Sequence, residues 1–79
     1  MHPTAKIALE RLVYAMFEKK QPVTRTFLSD VWMHIDPQPD YGTKTKMGKD
    51  LTTFMKSEAQ TYQGRYVKDA NGRNARIEF

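Results

Sequence analysis

The chain closes on YVKDANGRNARIEF, residues 66–79. Ala75, Ile77 and Phe79 alternate with Asn74, Arg76 and Glu78, and a period of two sends neighbouring side chains to opposite faces of a strand. The Asn71-Gly72 step before them favours the positive backbone angles of a hairpin turn. A β-hairpin is therefore expected, with its first strand near Arg65 to Asp69. Two registers are open. A two-residue Asn71-Gly72 turn sets Tyr66 opposite Ile77, whereas a three-residue Ala70-Asn71-Gly72 loop with a bulge sets Val67 opposite Ala75, and the two bury opposite faces. The first is preferred because it gathers Tyr66, Ile77 and Phe79 and places Arg65 across from Glu78. It turns Ala75, Ile77 and Phe79 inward, with the Phe79 ring completing the core, and displays Arg73 and Arg76. The register also decides whether Lys68 joins those arginines.

Upstream the period changes to that of helices. From Thr4 to Lys20 the apolar residues Ala5, Ala8, Leu9, Leu12, Val13, Met16 and Phe17 recur at spacings of three and four, which makes one stripe of an amphipathic helix. Thr4 is the expected N-cap, with His2 in a frayed terminus before Pro3, and Pro22 stops the helix. Pro22 to Thr24 form a very short strand on this reading. A second helix carries Phe27, Leu28, Val31, Trp32 and Ile35, capped by Thr24 or Thr26, with Val23 placed to staple against Leu28. DPQPDYGT, residues 36–43, holds two prolines, two aspartates and a glycine and reads as a loop. Thr43 or Thr45 then caps a third helix to about Ala59, with Met47, Leu51, Phe54 and Met55 on its apolar face and Asp50 and Glu58 flanking them. Gly48 inside it costs about 1 kcal/mol relative to alanine, so close approach of another backbone is expected there.

Seventy-nine residues suit one domain over 1–79, which buries only about 60% of the surface its unfolded chain exposes. With 39% apolar and 28% charged residues and a mean hydropathy of −0.72, the composition is that of a globular chain. No apolar run approaches the roughly 20 residues of a membrane span, and no signal-peptide pattern stands at the N-terminus, so a cytoplasmic protein is expected. Cysteine is absent, which removes disulfides and thiolate chemistry, and two histidines make a metal site improbable. No cofactor and no small-molecule substrate are expected.

Charge is divided unevenly. Residues 1–42 carry five basic and five acidic side chains, while residues 43–79 carry eight basic and four acidic ones, so the whole net charge of +4 lies in the second half. On a wheel of about 100° per residue, the outer face of the third helix carries Thr45, Lys49, Thr52, Thr53, Lys56 and Gln60, with Lys44 and Lys46 at its start and edge and no acid among them. Such a face is often only a solvated one. Threonine, however, is a poor helix former, and hydroxyl and ammonium groups suit phosphate oxygens and base edges. Arg65, Lys68, Arg73 and Arg76 add a basic hairpin, which protects a sheet edge or reaches along phosphates. Double-stranded DNA is the expected partner. Trp32, Phe17, Phe27 and Phe54 are expected in the core rather than stacked on bases, while Tyr41 in the loop is left undecided.

Enzymatic readings fail on spacing. GTKTKMGKD, from Gly42, has five residues between its glycines where a phosphate loop has four, and Asp50 replaces the hydroxyl that would hold magnesium. Ser29, Asp30 and His34 share one short helix, so Asp30 and His34 read as an i,i+4 surface pair rather than a relay.

Helix, minimal strand, helix, loop, helix, hairpin resembles the winged-helix class of helix-turn-helix domains over nearly the whole chain. The resemblance implies an α+β fold of three helices with a C-terminal β-hairpin wing, the third helix in the DNA major groove and the wing on the backbone. TKTKMGKDLTTF, residues 43–54, with NGRNARIEF after it, also looks like the C-terminal winged-helix module of phage and plasmid primase-helicases. Thr43 to Lys46 match the lead-in of that module and Met47, Gly48, Lys49 and Leu51 its apolar-glycine-basic step. That likeness implies duplex binding in replication, with the other domains of a replication protein as neighbours. A free-standing phage or plasmid transcription regulator fits the same residues, and a winged helix that docks a protein instead of DNA is the rival class.

Overall fold

A computed structural model describes residues 1–79 as one α+β domain of three helices and a three-stranded antiparallel sheet. The order is α1 (Pro3–Glu18), β1 (Val23–Thr24), α2 (Arg25–Met33), α3 (Lys44–Thr61), β2 (Arg65–Val67) and β3 (Arg76–Glu78). His2, not Thr4, caps α1: its Nδ1 accepts the Thr4 amide at 3.1 Å. Pro3 explains the shift, because its fixed φ is already helical and its missing N–H is not needed at the first position. Thr24 caps α2 by accepting the Phe27 amide at 3.1 Å, and Thr43 caps α3 by accepting that of Lys46 at 3.1 Å. Both α1 and α3 end in a left-handed residue, Lys20 at φ 56° and Gln63 at φ 57°. The next amides, of Gln21 and Gly64, return to the carbonyls of Met16 and Ala59 at 2.9 and 2.8 Å, so both ends are Schellman motifs. Helix α1 thus stops before Pro22 is reached.

The three helices and the sheet enclose one cluster. Ala5, Leu9 and Val13 of α1, Leu28 and Trp32 of α2, and Met47, Leu51, Phe54, Met55 and Ala59 of α3 meet Val23 and Ile77 there. The expected stripes supply these residues, and Val23 and Leu28 are both buried as the staple requires. Three aromatic assignments change. Phe27 is 38% exposed, because it lies about 100° around the helix from Leu28, at the edge of the stripe. Phe17 is half-buried, stacked on Tyr62 at 4.7 Å. Phe79, expected to complete the core, is also 38% exposed and packs edge-on to Phe17 at 5.4 Å outside the cluster. Glu58, expected beside the apolar stripe, is buried within it.

Loop 34–43 is pinned by the tryptophan. Trp32 Nε1 donates to the buried Pro39 carbonyl at 3.2 Å, Gln38 Nε2 donates to the Trp32 and Pro39 carbonyls at 3.0 Å, and Tyr41 packs edge-on to the indole at 6.4 Å. Tyr41 is thereby a packing residue of the loop.

In the sheet, ordered β1-β3-β2, the central strand pairs Val23 with Ile77 and Thr24 with Arg76 on one side, and Arg65 with Glu78, Tyr66 with Ile77 and Val67 with Arg76 on the other. The preferred register holds, but the turn that delivers it differs. Asp69 N–H donates to Arg73 O and Gly72 N–H to Asp69 O, both at 2.9 Å, which closes a three-residue loop over Ala70, Asn71 and Gly72 with Gly72 left-handed at φ 73°. By itself that loop would shift the strands by one. Asn74, also left-handed at φ 55°, restores the register: between Asp69···Arg73 and Val67↔Arg76 only Lys68 lies on the first strand, against Asn74 and Ala75 on the second. This is a bulge, one extra residue absorbed by a kink. It leaves Ala75 and Ile77 buried.

Candidate functional site

Helix α3 presents Thr45, Lys49, Thr53 and Lys56 exposed and Thr52 half-buried, as its wheel requires. Thr52 Oγ donates to the Gly48 carbonyl at 2.9 Å and accepts from Arg25 Nη1 at 3.4 Å. Arg25 itself is held at the start of α2 by its amide, which donates to Ala75 O at 2.9 Å and continues the β1–β3 pairing. The guanidinium of α2 therefore joins the α3 face. Arg25, Thr45, Gly48, Lys49, Thr52 and Thr53 line an open groove without an apolar side chain or a carboxylate. No backbone approaches Gly48, contrary to expectation: a Cβ there would meet nothing within 4 Å. Its bareness widens the groove.

The other predicted cations fall into three sets. Lys46 Nζ pairs with Asp50 at 3.0 Å, one turn along, and Asp50 also faces the amino terminus at 3.7 Å. Arg65 and Arg76 both pair with Glu78, at 3.2 and 2.8 Å. The hydrogen bond from Arg76 is the main reason the Glu78 carboxyl lies below the usual carboxylate range. Lys56 Nζ sits 5.5 Å over the Tyr66 ring, a cation–π placement. Lys44, Lys49, Lys68 and Arg73 have no carboxylate within 4.0 Å. Arg76 lies on the face opposite the buried Ala75 and Ile77, but its charge is matched there, because the strand sets it two residues from Glu78 on the same face. The freedom from acid also stops at the α3 surface, since Asp30 of α2 lines the adjoining cleft with Arg25, Lys44 and Thr45.

At the hairpin tip the Asp69 carboxylate accepts from Asn71 N, Arg73 N and Asn74 Nδ2 at 3.2, 2.8 and 2.9 Å. Its two oxygens satisfy the loop amides and hold the bulged Asn74, so the placement of Arg73 depends on Asp69. Ser29 Oγ donates to Thr26 O at 3.0 Å and His34 Nδ1 to Asp30 O at 2.7 Å. Asp30 and His34 are therefore joined through the backbone, because the imidazole reaches back to the helix carbonyl rather than to the carboxylate.

Arg25 and Asp69 are the two participants that the charge census overlooked. Arg25 lies in the net-neutral half, and nothing in its spacing shows which helix it approaches. Asp69 was legible, since an aspartate opening a turn bonds to the amides ahead of it. Comparison with known proteins finds no matching family model, no similar curated sequence and no similar solved structure.

Proposed function

We propose that the chain is a winged-helix domain that binds double-stranded DNA, with α3 in the major groove and the β2–β3 hairpin as a wing along the phosphates. The groove carries this reading: Arg25 and Lys49 stand among the hydroxyls of Thr45, Thr52 and Thr53, with no carboxylate on its walls. Cations position a protein on phosphates, and hydroxyl groups read base edges or bond phosphate oxygens. The strand order β1-β3-β2 and a wing tip carrying the unpaired Arg73 support the same layout. Control of phage or plasmid replication or transcription, in the cytoplasm, is the setting proposed for it; no helix is long and apolar enough to cross a membrane.

Fluorescence anisotropy with a short labelled duplex tests this at low salt. Lys49→Glu and Arg73→Glu are each expected to lower affinity by about fivefold or more, since each reverses a phosphate-facing charge. Unchanged titrations for both variants would refute the proposal.

One observation favours the rival, a protein-docking module that does not bind DNA. Tyr14, Phe17, Tyr62 and Phe79 form a contiguous cluster with Tyr14 44% and Phe79 38% exposed, and aromatic side chains are enriched at protein interfaces. On that reading any residual duplex signal is nonspecific and without a salt slope, and Tyr14→Ala abolishes association with a co-purifying protein.

A further inference from the structure

A second cleft runs between α1 and α3, where Lys6 and Glu10 face Asp50, Ser57, Glu58 and Thr61. Glu58 is 7% exposed, yet its Oε1 has no hydrogen-bond partner. It also takes part in none of the ion pairs, and neither does Glu10. Asp50 differs, being already matched by Lys46 and the amino terminus. Burial raises the Glu58 carboxyl above the usual range, with the Glu10 charge adding to the rise and Lys6 opposing it. A buried carboxylate oxygen without a donor is unfavourable, and a charged donor is its strongest remedy. A metal ion does not match, because no three ligating side chains converge here. What fits is a positive group with several N–H bonds: Glu58 and Glu10 meet its charge, the Ser57 and Thr61 hydroxyls accept its remaining hydrogens, and Phe54 offers an apolar wall to its stem.

We propose that the α1–α3 cleft binds an organic cation, a guanidinium or primary ammonium group seated on the Glu58 carboxylate beside Glu10. Such a group comes from a free polyamine or from an arginine or lysine side chain of another protein. The site is separate from the groove proposed for DNA, with which it shares only Thr53.

Carboxyl-¹³C NMR of the intact chain tests it, with spermidine in one arm, N-acetyl-arginine amide in a second and sodium chloride at equal ionic strength as the control. The expected result is a saturable shift of the Glu58 carboxyl and of the Ser57 and Thr61 amides, absent from the control. Glu58→Gln is expected to weaken binding about tenfold or more, the effect of removing the charged acceptor. A response to the arginine amide alone points to a protein side chain, and one to spermidine alone to a free polyamine; each supports the proposal. No saturable shift at millimolar probe, or equal binding by Glu58→Gln, overturns it. Should Glu58→Gln fail to fold, Glu10→Gln on the half-exposed rim serves in its place, with severalfold weaker binding expected and undiminished binding overturning the proposal. Lys49→Glu is expected to leave this binding unchanged, so its outcome is separable from that of the DNA titration.

Discussion

A methyl group added at Gly48 meets no atom within 4 Å, whereas one added at Gly64 would lie 2.7 Å from the Glu78 carbonyl oxygen. The two glycines therefore have opposite predicted responses. Gly48→Ala is expected to stabilise the fold by up to about 1 kcal/mol through helix propensity, while its methyl narrows the groove and lowers duplex affinity. Gly64→Ala is expected to cost about 1–3 kcal/mol, because backbone must move to admit it; denaturant melts measure both. Glu58 gives a pH signature. Burial raises its folded-state carboxyl, so the stability it contributes is present below the ordinary carboxylate range and lost as pH rises through its folded value. Glu58→Gln removes that loss. Its gain in melting temperature over the parent is expected to be larger at roughly pH 7 than at roughly pH 4, the range spanning carboxylate titration. An equal gain at both values would show that the raised carboxyl has no hold on stability.

The helices and the hairpin show which parts of each element are locally coded. Thr43→Ala is expected to cost about 1 kcal/mol by removing the α3 cap, and Thr45→Ala, with no capping bond, much less. Lys20 and Gln63 hold left-handed conformations that glycine enters without strain. Lys20→Gly and Gln63→Gly are each expected to gain about 0.5–1 kcal/mol, read as a higher melting temperature. In the wing, Asp69→Ala removes the acceptor of three bonds. Faster amide exchange at Asn71 and Arg73, with β1–β3 protection retained, is the expected outcome. These features were visible in the chain to different degrees: the choice of Thr24 and Thr43 was open between neighbours, and the Asn71-Gly72 signal was sound for a hairpin. The tip geometry was not legible, because two left-handed residues, Gly72 and Asn74, offset one another, and only the strand pairing beyond them shows that they do.

For the whole molecule, the separation of charge between the two halves of the chain is also a spatial one only in part. Of the predicted cations, Lys44, Lys49, Lys68 and Arg73 keep neither an acidic partner nor an aromatic ring beneath them. If these four neutralise phosphates, duplex affinity is expected to fall roughly a hundredfold between about 50 and 200 mM salt, and anisotropy titrations across that range check it. A flat response would turn attention to the exposed aromatic cluster. The order of helices and strands and the apolar stripes that meet in the core could be read from the chain alone, and the Tyr66–Ile77 register only as a preference, because periodicity, caps and the demand to bury one face act between residues close along the chain. The packing of the elements was needed to show that Arg25 joins the α3 groove and that Glu58 is buried against α1 without a partner. Ion pairing and desolvation depend on distances of a few ångströms between elements far apart in sequence, and those distances exist only once the elements have packed.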